Sequence, residues 1–179
     1  MTTIERRSEA VRPARPPLRV TMLGLRGFPN VQGGVENHAE HLSCGLAELG
    51  CDRAFVVHGH GGLDEISTEG VTVICEVREG AVRRFELTPE DAGVPRAPLE
   101  GLRGGDAQQN AEMLRSVLRG EKGPKRAAIL LNAGAALAAA GICETIKDGV
   151  RLAEKAIDSG AALLVVEQRA ATLLSFRHA

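Results

Sequence analysis

Arg53-Ala54-Phe55-Val56-Val57-His58-Gly59-His60-Gly61-Gly62-Leu63-Asp64-Glu65-Ile66-Ser67 is the stretch on which the reading of this chain turns. Arg53 to Val57 is short, apolar and bounded by turn residues, the pattern of a buried strand in a parallel sheet. Gly59, Gly61 and Gly62 follow at once and let the backbone turn sharply and approach a ligand closely. In open parallel sheets ligands sit beyond the carboxyl ends of the strands, and this loop has that position. Asp64 and Glu65 then offer two adjacent hard oxygen donors. They suit a Mg²⁺ ion that carries a phosphorylated substrate. A solvated loop or a helix-start charge pair has the same spacing, so adjacency alone does not choose between them. His58 and His60 with Asp64 have the types of a transition-metal site, but the glycines leave their geometry loose. His38 and His41 are one helical turn apart, and a solvated helix face is the plainer reading.

Downstream of this loop the local signals are clear. Val71 to Val77 and Val82 to Leu87 flank Glu79-Gly80, a hairpin signature. Pro89 to Pro98 reads as a long connection. Asp106 and Gln109 form a capping box for a helix closed by Gly120, with Asn110, Ala111, Leu114, Val117 and Leu118 on one face. Pro124 opens a second helix that ends at Gly141. Thr145 and Asp148 open a third that ends at Gly160, and a last helix runs from Ala161 towards Phe176. The expected fold class is α/β, with a parallel-core sheet, an antiparallel hairpin and C-terminal helices.

Upstream, Leu18 to Leu23 reads as a strand, Gly24 to Gly34 as a loop, and Val35 to Gly50 as a helix. Gly33-Gly34 lies at that helix's N-terminus, where free N–H groups and the helix dipole favour an anion. Strand, helix and the Arg53 to Val57 strand form a βαβ unit, which predicts that the two strands are parallel neighbours. Residues 1–17 are polar, rich in Arg and Pro, and expected to be a disordered tail.

Composition narrows the function. The chain has 179 residues, 44% of them hydrophobic, and a net charge of −1. No basic footprint for nucleic acid or an anionic membrane is present. Trp and Tyr are absent and only four Phe occur, which removes the usual stacking platforms. Cys44, Cys51, Cys75 and Cys143 lack close metal-ligand spacing and read as reduced thiols of a cytoplasmic protein. Ala127 to Cys143 is uncharged but short for a bilayer span, and reads as a buried helix.

Four segments in order, VVHGHGGLDEIS, FELTPEDAGVPRAPLEGLRGGDAQQNAEMLRSVLRGEKGP, AAILLNAGAALAAAG and AIDSGAAL, resemble the C-terminal half of anthranilate phosphoribosyltransferases from about Leu46 to residue 175. The resemblance implies a nucleoside-phosphorylase/phosphoribosyltransferase-like fold and Mg²⁺ as cofactor. It implies that Asp64 and Glu65 bind that ion beside the pyrophosphate of phosphoribosyl pyrophosphate. The transfer of phosphoribose to anthranilate belongs to tryptophan biosynthesis. The family's glycine-rich pyrophosphate loop, Lys-His-Gly-Asn segment and helical anthranilate domain have no counterpart before Leu46. The expectation is a chain inactive alone, engaging phosphoribosyl pyrophosphate and anthranilate only where the other half is supplied.

Leu18 to Leu49, LRVTMLGLRGFPNVQGGVENHAEHLSCGLAEL, is instead similar to the first βα unit of bacterial sugar-nucleotide glycosyltransferases. There the GG-x-E loop faces the donor diphosphate, which Gly33 and Gly34 would do here. The chain is thus expected to comprise a tail at 1–17, a glycosyltransferase-like unit at 18–50 and a phosphoribosyltransferase-like region at 51–179. A truncated sugar-nucleotide glycosyltransferase and a non-catalytic fusion remnant remain alternatives.

Overall fold

The computed structural model describes Leu18–Arg19 and residues 34–175. The elements in order are β1 (Leu18–Arg19), α1 (Gly34–Glu48), β2 (Cys51–His58), β3 (Thr72–Arg78), β4 (Ala81–Leu87), α2 (Ala107–Leu118), α3 (Pro124–Ala139), α4 (Ile146–Asp158) and α5 (Ala161–Ser175). Short 3₁₀ turns occupy His60–Gly62 and Leu99–Leu102.

The strands form one sheet in the order β1-β2-β3-β4. β1 pairs with β2 in parallel, Leu18 against Cys51 and Arg19 against Arg53, so the βαβ expectation holds for the described part of the first strand. The expectation of a parallel core does not hold. β2 pairs antiparallel with β3, and β3 antiparallel with β4, so three of the four strands form a meander. The physical reason lies between His58 and Thr72. A parallel return needs a crossover of a dozen or more residues, usually a helix. This segment spends its length on the glycine loop and a 3₁₀ turn. The hairpin is as expected: Glu79 (φ 52°) and Gly80 (φ 77°) form a two-residue turn with both central residues left-handed, the geometry that matches strand twist.

Ala54 to Val57 of β2 are apolar because both faces of the strand are covered. Val56 and Cys75 pack against Leu42 and Leu46 of α1, and Ala54 and Val77 lie beside Leu46 and Ala47. On the other face Phe55, Val57 and Ile74 join the main core, with Leu130, Leu131 and Ala135 of α3 and Val150 and Ala153 of α4.

The helices start and stop where local chemistry directs. Asp106 Oδ1 accepts from Gln109 N–H at 2.8 Å while Gln109 Oε1 accepts from Asp106 N–H at 2.9 Å. Thr145 Oγ1 accepts from Asp148 N–H at 3.1 Å to cap α4. The expected α2 face is partly corrected: Val117 and Leu118 are buried, but Asn110 and Leu114 are exposed and border a cleft described below. α3 and α4 touch backbone to backbone. A Cβ on Gly149 would overlap the Gly134 carbonyl, and one on Gly134 would lie 2.7 Å from Val150 N. The Pro89 to Pro98 connection is packed rather than loose: Ala92 and Val94 are buried, and Ala97 N–H donates to Thr68 O at 2.8 Å.

Candidate metal and phosphate loop

The glycine loop is held closed by its own backbone. Gly59 N–H donates to Leu63 O at 2.9 Å, and Gly62 N–H to Gly59 O at 3.1 Å. Gly61 and Gly62 have φ of 74° and 78°, values that only glycine adopts at no steric cost. A side chain at Gly59 would overlap the Glu65 carbonyl. The exit from the loop is equally fixed. Ile66 is buried, Ser67 N–H donates to Thr72 Oγ1 at 3.0 Å, and Ser67 Oγ accepts from Glu69 N–H at 3.1 Å and Gly70 N–H at 3.3 Å.

Asp64 and Glu65 therefore stand on a short, braced segment directly after β2. Asp64 is exposed and Glu65 half-buried. Burial pushes the Glu65 carboxyl above the usual carboxylate range, and the neighbouring Asp64 charge pushes it further. Glu65 also borders a cleft of about 240 Å³ lined by Leu102, Asn110, Met113, Leu114 and Lys125.

One residue at this site is given no role by the motif reading, although it lies within the AAILLNAGAALAAAG segment. Asn132, on the inner side of α3, reaches the loop with its whole amide. Its Oδ1 accepts from Ile66 N–H at 3.0 Å, and its Nδ2 donates to Ala128 O at 3.0 Å and to Ile66 O at 3.4 Å. Glu65 Oε2 lies 3.5 Å from the same Nδ2. The signal that points to it is general: a lone amide inside an apolar helix needs hydrogen-bond partners.

The donor chemistry fits a hard divalent cation. Two carboxylates of like charge are held side by side, and a cation would relieve their repulsion. Among the described residues no group of three or more His, Cys, Asp or Glu stands ready to hold a metal. Two carboxylates would supply only part of a Mg²⁺ coordination shell, the rest of which is ordinarily filled by waters and phosphate oxygens. His58 is half-buried on β2, whereas His60 is exposed and packs over Gly70. Gly33 lies outside the described residues, and Gly34 is the first residue of α1. None of the four cysteines forms a disulfide. No described helix is long and apolar enough to cross a membrane.

A second cleft, of about 310 Å³, lies between β2–β4 and the start of α4. Its buried carboxylate, Glu76, is already matched: Arg53 Nη2 is 3.0 Å from Oε1, and the exposed Arg83 places Nη2 3.1 Å from Oε2. Arg53 also donates to the carbonyls of Ala138, Cys143 and Glu144, which ties β2 to the α3–α4 junction.

The anthranilate phosphoribosyltransferase of Trichlorobacter lovleyi is 45% identical over 163 residues, covering 83% of this chain and 47% of the relative. That of Parvibaculum lavamentivorans is 53% identical over 117 residues, 65% of this chain and 34% of the relative. The chain thus spans half or less of the curated relatives it matches. The crystal structure of the Thermus thermophilus enzyme superposes with a TM-score of 0.65 at 40% identity, covering 74% of this chain and 39% of that one. A Saccharomyces cerevisiae structure in complex with phosphoribosyl pyrophosphate and Mg gives 0.57 at 28% identity, over 64% of this chain and 33% of that one. The family match begins at residue 34, ahead of the Leu46 onset read from motifs, and so takes in α1. Through residues 34–163 the chain belongs to the glycosyl transferase family, by that family's a/b domain.

Proposed function

We propose that this chain is the part of an anthranilate phosphoribosyltransferase that holds Mg²⁺ against the pyrophosphate of phosphoribosyl pyrophosphate. The observation that carries the reading is the braced Asp64-Glu65 pair on the glycine loop, in a chain homologous to that enzyme over part of its length. Asp64 and Glu65 are the residues that would hold the ion. When bound, Mg²⁺ would neutralise part of the charge on the departing pyrophosphate. The chain's own contribution is positioning. The glycines let the backbone lie close to the phosphates, and the buried Ile66 fixes where the carboxylates stand. The ribose and anthranilate contacts are assigned to the remainder of the enzyme.

Calorimetric titration of Mg²⁺ and pyrophosphate tests the reading. Mg²⁺ alone should bind weakly, pyrophosphate should tighten it, and Asp64→Asn with Glu65→Gln should remove the gain. Equal binding by the wild type and the double variant would take these residues out of the site.

A further inference from the structure

We infer that Asn132 is a positioning residue for Glu65: it clamps the Ile66 peptide from α3 and so sets where the metal-binding carboxylate stands. The inference rests on the metal-loop reading above for its functional consequence, but not for its geometry. Both polar groups of Ile66 are engaged by one side chain, the N–H at 3.0 Å and the C=O at 3.4 Å. The N–H belongs to the peptide bond that joins Glu65 to Ile66, so the clamp acts on the peptide attached to the Glu65 Cα. The Ile66 side chain is itself 1% exposed, which leaves the segment no slack on the core side.

The clamp is anchored on a fixed platform. Asn132 Nδ2 also donates to Ala128 O one turn back, which holds the amide along α3. Two residues on, Gly134 meets Gly149, and the absence of Cβ atoms there lets α3 and α4 approach to backbone contact. Leu131 and Ala135, on either side, are fully buried. The position of Glu65 is therefore referred to the helical layer and not only to the loop. The charged groups near Glu65 are Asp64 on its own loop and Lys125 across the cleft, whose Nζ donates to Gly101 O at 2.9 Å. Asn132 Nδ2, whose two protons face Ala128 O and Ile66 O, lies 3.5 Å from Glu65 Oε2, so the clamp acts on the backbone beside Glu65.

The test has two arms, with Val77→Ala as a core control on the α1 face of the sheet, in a cluster separate from that of Ile66. In the free protein, hydrogen exchange at the Ile66 amide and the Glu65 Cα and Cβ chemical shifts at one fixed pH are followed in wild type, Asn132→Leu and Val77→Ala. Asn132→Leu keeps the branched shape and removes the amide, and Asn132→Ala replaces it if the leucine does not fold. The expected result is faster Ile66 exchange with displaced Glu65 shifts in the Asn132 variant alone. Unchanged Ile66 exchange and Glu65 shifts, or equal changes in Val77→Ala, would overturn the inference. In the second arm, Mg²⁺–pyrophosphate binding should weaken by about 10–100-fold in the Asn132 variant, the usual loss for a residue that orients a metal ligand. Binding that is the same in wild type and in Asp64→Asn/Glu65→Gln overturns the metal-loop reading instead, and the first arm still decides the role of Asn132.

Discussion

Arg53 and Glu76 lie diagonally across the antiparallel β2–β3 pair and form a nearly buried ion pair. Arg53 Nη2 is 3.0 Å and Nε 3.1 Å from Glu76 Oε1, with the two side chains 10% and 7% exposed. The register sets Arg53 opposite Arg78 and Phe55 opposite Glu76, so the pair spans neighbouring rungs on the face that meets α3 and α4. The guanidinium is further saturated by the carbonyls of Ala138, Cys143 and Glu144. Sheet and helical layer are thus joined by a charge as well as by apolar packing.

That arrangement predicts unequal costs for two arginines on one carboxylate. Arg53→Ala should lower unfolding stability by about 3–5 kcal/mol, since it strands a buried carboxylate and several carbonyls. Arg83→Ala should cost about 1 kcal/mol or less, because the Arg83 side chain is 71% exposed, and its pairing and its stacking on Phe85 are solvent-screened. Urea denaturation of both variants measures the difference, and equal losses would contradict it.

The α3–α4 crossing makes a second pair of opposites. Gly134→Ala should destabilise by about 1–3 kcal/mol, because its Cβ would press on Val150 N and on Ile146 O at 2.9 Å. Gly45→Ala, inside α1 with nothing within 4 Å of the new atom, should stabilise by about 1 kcal/mol. Thermal unfolding midpoints should move in opposite directions.

Glu65 gives a pH-dependent expectation. Its carboxyl is raised in the folded chain by burial and by Asp64, so folding favours the protonated form. The penalty on the charged form is absent below the ordinary glutamate range and grows as pH rises through the raised folded value. Glu65→Gln should therefore be more stable than wild type at pH 7, and the gain should vanish near pH 4. Paired urea titrations at the two pH values read it directly, and a gain that persists at pH 4 would contradict the assignment.

The hairpin turn supplies a fourth expectation. Glu79 is the one described non-glycine residue with positive φ. Glu79→Asn should raise stability by about 0.5–1 kcal/mol, since asparagine tolerates the left-handed region better. The substitution also removes the ion pair of Glu79 with Arg78 at 3.9 Å, which is exposed and worth little. Guanidinium unfolding midpoints would show the gain, and a lower midpoint would mean that the ion pair outweighs the backbone preference.

Signals confined to a few residues were legible in the amino-acid sequence. The Asp106 capping box, Pro124 at a helix start, the Thr145 cap and the Glu79-Gly80 turn each depend on neighbours only, and each is where its chemistry places it. The direction of the β2–β3 pairing was not legible, although those of β1–β2 and of the β3–β4 hairpin were. Ala54 to Val57 are apolar because α1 and the α3–α4 layer cover the two faces of β2, and such coverage reads the same for parallel and antiparallel neighbours. The roles of Asn132 and Arg53 were hidden for a related reason. Each acts on residues 66 to 91 positions away, and no local pattern encodes that distance.

β4 forms one edge of the described sheet, with β1 at the other. Open strand edges template aggregation between molecules, and proteins guard them with charge. Here Arg83, Arg84 and Glu86 are all exposed along seven residues. A second chain laid along β4 would have to bring its own backbone past those charges. Arg83, whose contribution to folding is small, thus belongs to the molecule's defence of solubility. Its replacement by an apolar residue should be felt in the test tube as turbidity on concentration, well before it is felt as a lower melting point.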